Sequence, residues 1–253
     1  MAIQVEHFSP RIVVITISRP QALNALCTDS LNELNAVIDK LQAEEALRVV
    51  IITGEGRAFI AGADISEMIA MTDQEAKDYA ALGANLFLKI EMLNKITIAA
   101  INGFALGGGC ELALACDIRI ASDNAKFGQP EVRLGITPGF SGIRRMIEIV
   151  GEAKAKEFIF SGRLIEAQEA ERNGLVNIVV RPEDLMKKSI SMAEEIASKS
   201  FNAVVACKKV MNAMKDNLNH KILCQLNYFA DCFNHKDQKV GMAAFLNKET
   251  AVF

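Results

Sequence analysis

Two glutamates carry the most chemistry in this chain: Glu111, at the end of Gly107-Gly108-Gly109-Cys110-Glu111, and Glu131, in Phe127-Gly128-Gln129-Pro130-Glu131. A carboxylate directly behind a run of glycines can stand at the mouth of a helix, beside N–H groups that have no partner inside it. A second carboxylate, pinned by the proline before it, can return to the same pocket. Such a pair can take a proton from water and give one to carbon. Taken alone, Glu131 reads more readily as a surface carboxylate or the partner of a helix cap, and the glycine triplet has the alternative reading of a tight turn chosen for packing.

Ala58-Phe59-Ile60-Ala61-Gly62-Ala63-Asp64-Ile65 is the second stretch of interest. Small residues after a buried strand let backbone N–H groups face a cavity, although Asp64 also reads as the cap of the helix that follows. Two backbone donors converging on one carbonyl form an oxyanion hole, typically worth about 3–4 kcal/mol per donor. A third stretch, Gly135-Ile136-Thr137-Pro138-Gly139, frames a shaped loop behind Glu131.

Other chemistries find less support. His7, His220 and His235 stand in no metal-ligand spacing and beside no nucleophile motif. Neither G-x-G-x-x-G nor G-x-x-x-x-G-K-[ST] occurs, so nucleotide cofactors of those types are not expected, and no metal is. The net charge of −3 and pI near 5.8 leave no electrostatic footprint for nucleic acid. Arg144-Arg145, Lys187-Lys188 and Lys208-Lys209 read as short pairs on solvated helix faces. The six cysteines form no C-x-x-C pair and fall largely in apolar stretches, which predicts small buried hydrophobes in a reducing, cytoplasmic setting. No apolar run is long enough to span a membrane, and no targeting segment is expected.

The elements that must position these residues are set out by periodicity. Strands are predicted on both sides of Ser9-Pro10, at Val49–Thr53, Ile96–Ile101, Asp117–Ser122 and Val176–Val180. A helix capped by Thr28 or Asp29 buries Leu31, Leu34, Ile38 and Leu41, and residues 58–65 form a loop before a long helical stretch to about Leu93. Further helices are expected at about 142–150, 152–160 and 166–173, and after Glu183 at 185–198, 202–214, 222–233 and 238–245. Alternating strands and helices predict an α/β fold with largely parallel strands. The shift to helices alone places a boundary near Arg181-Pro182, giving residues 1–181 as the core with the site and 182–253 as a helical region. No sharp internal repeat is visible.

In this order and spacing the three stretches resemble the crotonase superfamily, and within it the bacterial short-chain enoyl-CoA hydratases, also called 3-hydroxybutyryl-CoA dehydratases. The resemblance covers nearly the whole chain, from Ile15-Thr16-Ile17-Ser18-Arg19-Pro20 to Met242-Ala243-Ala244-Phe245. It implies a spiral of ββα repeats followed by a helical C-terminal trimerisation region, a homotrimer or dimer of trimers, and a role in fatty acid metabolism. It further implies that the N–H groups of Ala63 and Gly108 hold the thioester carbonyl of an acyl-CoA, and that Gly139 helps position water. Glu111 then deprotonates the water that attacks Cβ, and Glu131 gives the proton to Cα. Ala61, Gly62, Asp64 and Ile65 would lie along the CoA, with Lys248 near its phosphates. CoA is part of the substrate, and no separate cofactor is implied.

The family pattern Gly-Gly-Thr-Gln-Arg is replaced here by Ser141-Gly142-Ile143-Arg144-Arg145, which bears on substrate preference and rate more than on reaction type. Two other readings stay open: a Δ3-Δ2 enoyl-CoA isomerase working through Glu131, and a non-catalytic scaffold or RNA-binding relative. Acyl-chain length is not legible; the stretch from Met68 to Leu86, with Phe233 and Phe245, would set it.

Overall fold

The central long strands are nearly continuous apolar runs because both of their faces are covered, whereas the edge strand Ile3–Ser9 is largely exposed. Strands β1 (Ile3–Ser9), β2 (Ile12–Ile17), β3 (Val49–Gly54), β5 (Ile96–Ile101), β7 (Ile118–Ser122) and β10 (Ile178–Val180) lie side by side in one sheet, in the order β1-β2-β3-β5-β7-β10. Only β1 and β2 run antiparallel; the other neighbours are parallel. Side chains alternate between faces. Val13, Ile15, Val50, Ile52, Ala99 and Ile101 enter the main core, while Val14, Val49, Ile51, Ile98 and Ile120 form a second cluster on the other face. The structure, a computed structural model, describes residues 2–213 and positions 240, 247, 249 and 252.

A smaller sheet stands beside the first. It is made of β4 (Ala58–Ile60), β6 (Phe104–Leu106), β8 (Lys126–Gly128) and β9 (Ile165–Glu166), in that order, with β4, β6 and β8 parallel. Each long strand β3, β5 and β7 therefore turns a corner into a short one, β4, β6 and β8, before the chain leaves for the next winding. The corners are tight: a Cβ at Gly103 would fall 2.1 Å from the carbonyl oxygen of Arg57. Three such windings stack without any sequence repeat, because backbone pairing and small corner residues, not particular side chains, define the unit.

The main core is closed by α1 (Thr28–Ala43), α3 (Asp73–Glu91), α4 (Gly108–Ala115), α5 (Gly142–Val150) and α6 (Glu152–Ser161), α2 being the single turn Ile65–Met68. After α7 (Ala167–Arg172), helix α8 (Leu185–Ala197) buries Leu185, Ala193 and Ala197 against the second face of the large sheet, and α9 (Phe201–Ala213) comes next.

Several expectations need correction. The loop expected at 58–65 contains β4, and the long helix expected to Leu93 is broken between α2 and α3. Thr72 caps the new start, its hydroxyl accepting from the Glu75 N–H, with Glu75 reaching back to the Thr72 N–H. Helix α1 is capped by Cys27 with Ser30 rather than by Thr28 or Asp29. Arg145 and Lys208 are not on solvated faces: both are buried, and Lys208 pairs with Asp117 at 2.7 Å. Of the cysteines, Cys110 and Cys116 are buried as expected, Cys27 is half-buried and Cys207 is exposed. The helix expected at 222–233 and most of that at 238–245, together with Phe233, Phe245, Cys224, Cys232 and Lys248, lie outside the described residues.

Candidate active site

The parallel pairing of β4, β6 and β8 explains why three distant stretches of sequence meet. Each strand ends at the same edge of the small sheet, so the segments leaving Ile60, Leu106 and Gly128 emerge side by side. The first carries Ala63, the second Gly108 and Glu111, the third Glu131.

Ala63 is held by the loop that leads out of β2. Leu26 donates its N–H to the Gly62 carbonyl at 2.8 Å, and Asp64 donates to the Leu26 carbonyl at 2.7 Å, a short parallel bridge that leaves the Ala63 N–H between them. That loop is fixed by buried Asn24, whose amide donates to the carbonyls of Glu55 and Ala58 while its oxygen accepts from the Arg19 N–H. Asn24 and Leu23 both adopt the left-handed conformation, which asparagine tolerates better than leucine does. Gly108 opens helix α4, where its N–H has no intrahelical acceptor. Neither the Ala63 nor the Gly108 N–H finds an acceptor among the described residues.

Gly107 brings the second and third stretches together. Its φ of +48° suits glycine, and a Cβ there would sit 2.8 Å from the Glu131 Oε1 atom. Glu131 lies in the 3-10 turn Pro130–Leu134, which proline begins. Glu111 is 1% exposed, and its Oε1 accepts two backbone hydrogen bonds, from Phe140 at 2.8 Å and Gly142 at 2.7 Å. Gly142 is required by this contact, since a Cβ would stand 2.5 Å from the Glu111 Cγ atom. Buried Gln129, with its amide oriented as its neighbours demand, donates to both Glu131 oxygens at 3.2 and 3.3 Å.

Burial pushes the Glu111 carboxyl up to about 7, with the charge of Glu131 adding to the rise and the two N–H donors and Arg145 opposing it. Burial also pushes Glu131 up to about 7. Two carboxyls pushed up toward neutrality in one mostly apolar cavity divide naturally into an acid and a base.

The cavity they face has a volume of about 510 Å³ and mostly apolar walls. Ala61, Gly62, Ala63, Ile65, Gly108, Glu111, Glu131, Gly139 and Phe140 all line it. Asp64 does not; its carboxylate is held below the usual range by the Ser66 hydroxyl and, next, by Arg19 at 3.1 Å. It stands at the start of α2 without a side-chain bond to that helix's backbone. Ser141, Ile143 and Arg144 also lie away from the cavity, Arg144 being paired with Glu91 and Glu148. Among the described residues no group of three or more His, Cys, Asp or Glu converges as a metal site.

Sequence reasoning missed Asn24, Gln129, Phe140 and Arg145. An asparagine beside a proline turn and a glutamine between glycine and proline were the available signals for the first two. Nothing local marks Arg145 as the buried member of its pair.

The family described as enoyl-CoA hydratase/isomerase matches residues 7–253. The short-chain-enoyl-CoA hydratase of Clostridium acetobutylicum is 47% identical, over 94% of this chain and 92% of that protein. The crotonyl-CoA hydratase of Syntrophomonas wolfei is 46% identical, over 96% of this chain and 94% of that protein. The crystal structure of an enoyl-CoA hydratase from Bacillus anthracis superposes with a TM-score of 0.96 at 37% identity, covering 100% of this chain and 99% of that one.

Proposed function

This chain belongs to the enoyl-CoA hydratase/isomerase family, and we propose that it is an enoyl-CoA hydratase, a hydro-lyase that reversibly adds water across the double bond of a trans-2-enoyl-CoA to give a 3-hydroxyacyl-CoA. The observation that carries the reading is the pair Glu111 and Glu131, both buried against one cavity and both pushed up to about 7. The names and extent of similarity of the relatives support it.

In the proposed mechanism the thioester carbonyl accepts hydrogen bonds from the N–H groups of Ala63 and Gly108. These donors strengthen as negative charge develops on that oxygen, and they favour the enolate-like transition state over the ground state. Ionised Glu111 is held by two backbone donors that fix its direction, and it takes a proton from the water attacking Cβ, with the Gly139 backbone beside that water. Protonated Glu131 delivers its proton to Cα. Dehydration runs through the same groups in reverse.

Ala61, Gly62 and Ile65 lie along the path assigned to CoA, with Asp64 supporting it from behind through Arg19 and Ser66. Lys248 is assigned to the CoA phosphates on family resemblance alone. The same resemblance underlies the proposed trimer or dimer of trimers built through residues 182–253. No helix among the described residues is long and apolar enough to cross a membrane. A cytoplasmic location is proposed from the free cysteines among the described residues, Cys27, Cys110, Cys116 and Cys207.

The test is the loss of the conjugated-thioester absorbance of crotonyl-CoA on adding the protein, with 3-hydroxybutyryl-CoA as product. No turnover of any trans-2-enoyl-CoA would overturn the reading. Turnover of a 3-enoyl-CoA that survives Glu111→Gln would favour an isomerase instead.

A further inference from the structure

We propose that Tyr79 is a positioning residue for the first carbonyl donor, its hydroxyl holding the Leu26 backbone that aims the Ala63 N–H into the catalytic cavity; the inference rests on the hydratase reading. Gly108 opens a helix that fixes its N–H, whereas Ala63 stands in a loop before the single turn α2 and is aimed by its neighbours. Leu26 does the aiming. Its N–H donates to the Gly62 carbonyl at 2.8 Å. That carbonyl and the Ala63 N–H belong to one trans peptide unit, so they point in opposite directions. Gripping the carbonyl from one side therefore turns the Ala63 N–H to the other, away from buried Leu26. The Asp64 N–H, donating to the Leu26 carbonyl at 2.7 Å, fixes the next peptide unit in the same register.

What holds Leu26 comes from a distant part of the chain. Tyr79, on α3, donates its hydroxyl to the same Leu26 carbonyl at 2.7 Å, across 53 positions of sequence. The carbonyl thus sits in a two-donor clamp, Asp64 from the loop and Tyr79 from the helix. The tyrosine has a fixed seat. It is 6% exposed, it lines the cavity beside Ala63 and Gly108, and its ring meets Phe140 tilted by 58° with centroids 5.4 Å apart. Burial and, next, the charge of Glu67 push the phenol above its ordinary value, so the group stays a donor. Helix α3 buries Leu86, Phe87 and Ile90 in the core and cannot shift without opening a void, which makes it a rigid anchor for the loop. A phenyl ring would fill the seat equally well; the hydroxyl is what reaches Leu26.

Tyr79→Phe removes the hydroxyl and keeps the ring. The Leu26 carbonyl retains its Asp64 donor, so no buried acceptor is orphaned and the variant should fold. The first readout is the carbonyl stretch of bound butyryl-CoA, taken by isotope-edited infrared difference spectroscopy, since a saturated thioester has no double bond to hydrate. In the wild type the stretch should lie below its frequency in water, because the Ala63 and Gly108 N–H groups polarise the carbonyl. In Tyr79→Phe this downshift should be smaller. The second readout is hydration of crotonyl-CoA. Its kcat should fall about tenfold, less than the loss of about 10²–10³ typical when an oxyanion donor is removed outright, with KM within about threefold of wild type.

A downshift in Tyr79→Phe equal to that of the wild type would overturn the proposal whatever kcat does, because a tyrosine that only packs can lower turnover without moving this frequency. So would the absence of any downshift in the wild type. If the wild type polarises the carbonyl yet hydrates no enoyl-CoA, the hydratase reading fails, and the frequency in the variant still decides the role of Tyr79. Should Tyr79→Phe not fold, Tyr79→Met, which also lacks the hydroxyl, carries both measurements.

Discussion

Arg145 is clamped by Glu91: its Nε donates to the Glu91 Oε2 atom at 3.0 Å, while the guanidinium is 2% exposed. A second guanidinium nitrogen donates to the Phe140 carbonyl, one peptide unit from the N–H that Glu111 accepts. The buried ion pair thus reaches the proposed base through a single residue. Replacing one member of a buried pair leaves the other charge uncompensated, typically at a cost of about 3–5 kcal/mol. Arg145→Met should therefore destabilise the protein strongly. It should also remove a positive charge that holds the Glu111 carboxyl down, so the acidic limb of kcat/KM against pH should move upward. An unshifted limb in the folded variant would leave Arg145 with a structural role only.

Glu111→Gln and Glu131→Gln should each lower kcat by about 10²–10⁴, the usual contribution of a positioned acid or base, with circular dichroism unchanged. Wild-type turnover in either variant would refute its assignment.

The same substitutions should stabilise the protein in mild alkali. Both carboxyls rise from 4.5 to about 7 on folding, so the folded state binds protons more readily than the unfolded chain. Stability then falls as pH rises from 4.5 to about 7 and stays low above it. Each tenfold gain in proton affinity on folding corresponds to roughly 1.4 kcal/mol, which makes the loss a few kcal/mol for a pair that titrates as one system. Glutamine escapes it. Thermal melting should show both variants above wild type at about pH 8 and little different at about pH 4.5; the reverse order would contradict the burial of these groups as charges.

Catalysis with one ionised and one protonated member requires the pair to hold a single proton. The free enzyme's kcat/KM should therefore be bell-shaped and narrow, with its maximum near 7. A broad plateau from about pH 5 to about pH 9 would show that the two carboxyls do not share this environment.

Ser141 adopts φ of +70°, a left-handed conformation typically costing a non-glycine residue about 1 kcal/mol, and its side chain lies away from the catalytic cavity. Ser141→Gly should raise the melting temperature by about 2–4 °C and leave kcat within about twofold. A large change in kcat would mean that the hydroxyl acts on the Phe140–Gly142 loop.

The chain's central strands were legible as short continuous apolar runs bounded by turn residues, and α1 because its apolar residues repeat with the period of a helix. The short strands β4, β6 and β8 were not: three residues cannot establish a period, and only their pairing makes them strands. Glu111 could be read from the glycines before it, whose backbone constraints are local. Glu131 stayed ambiguous, since what makes it unusual is the parallel register that sets it against Gly107. Arg144 and Arg145 look alike in sequence, and the turn of α5 alone sends one to solvent and the other into the core. The break between α2 and α3 was marked by Thr72 and Glu75, a start signal overrun by the apolar residues around it.

The three windings have a consequence for how such a site can change. Ala63, Gly108 and Glu131 each hang from the end of a different short strand, and the second and third segments touch where Gly107 meets Glu131. A substitution at Glu131 can therefore change the proposed proton donor while the strands that carry the proposed carbonyl donors, Ala63 and Gly108, keep their pairing. The frame behaves as a tool holder: two positions for the proposed thioester grip, and a third open to different chemistry.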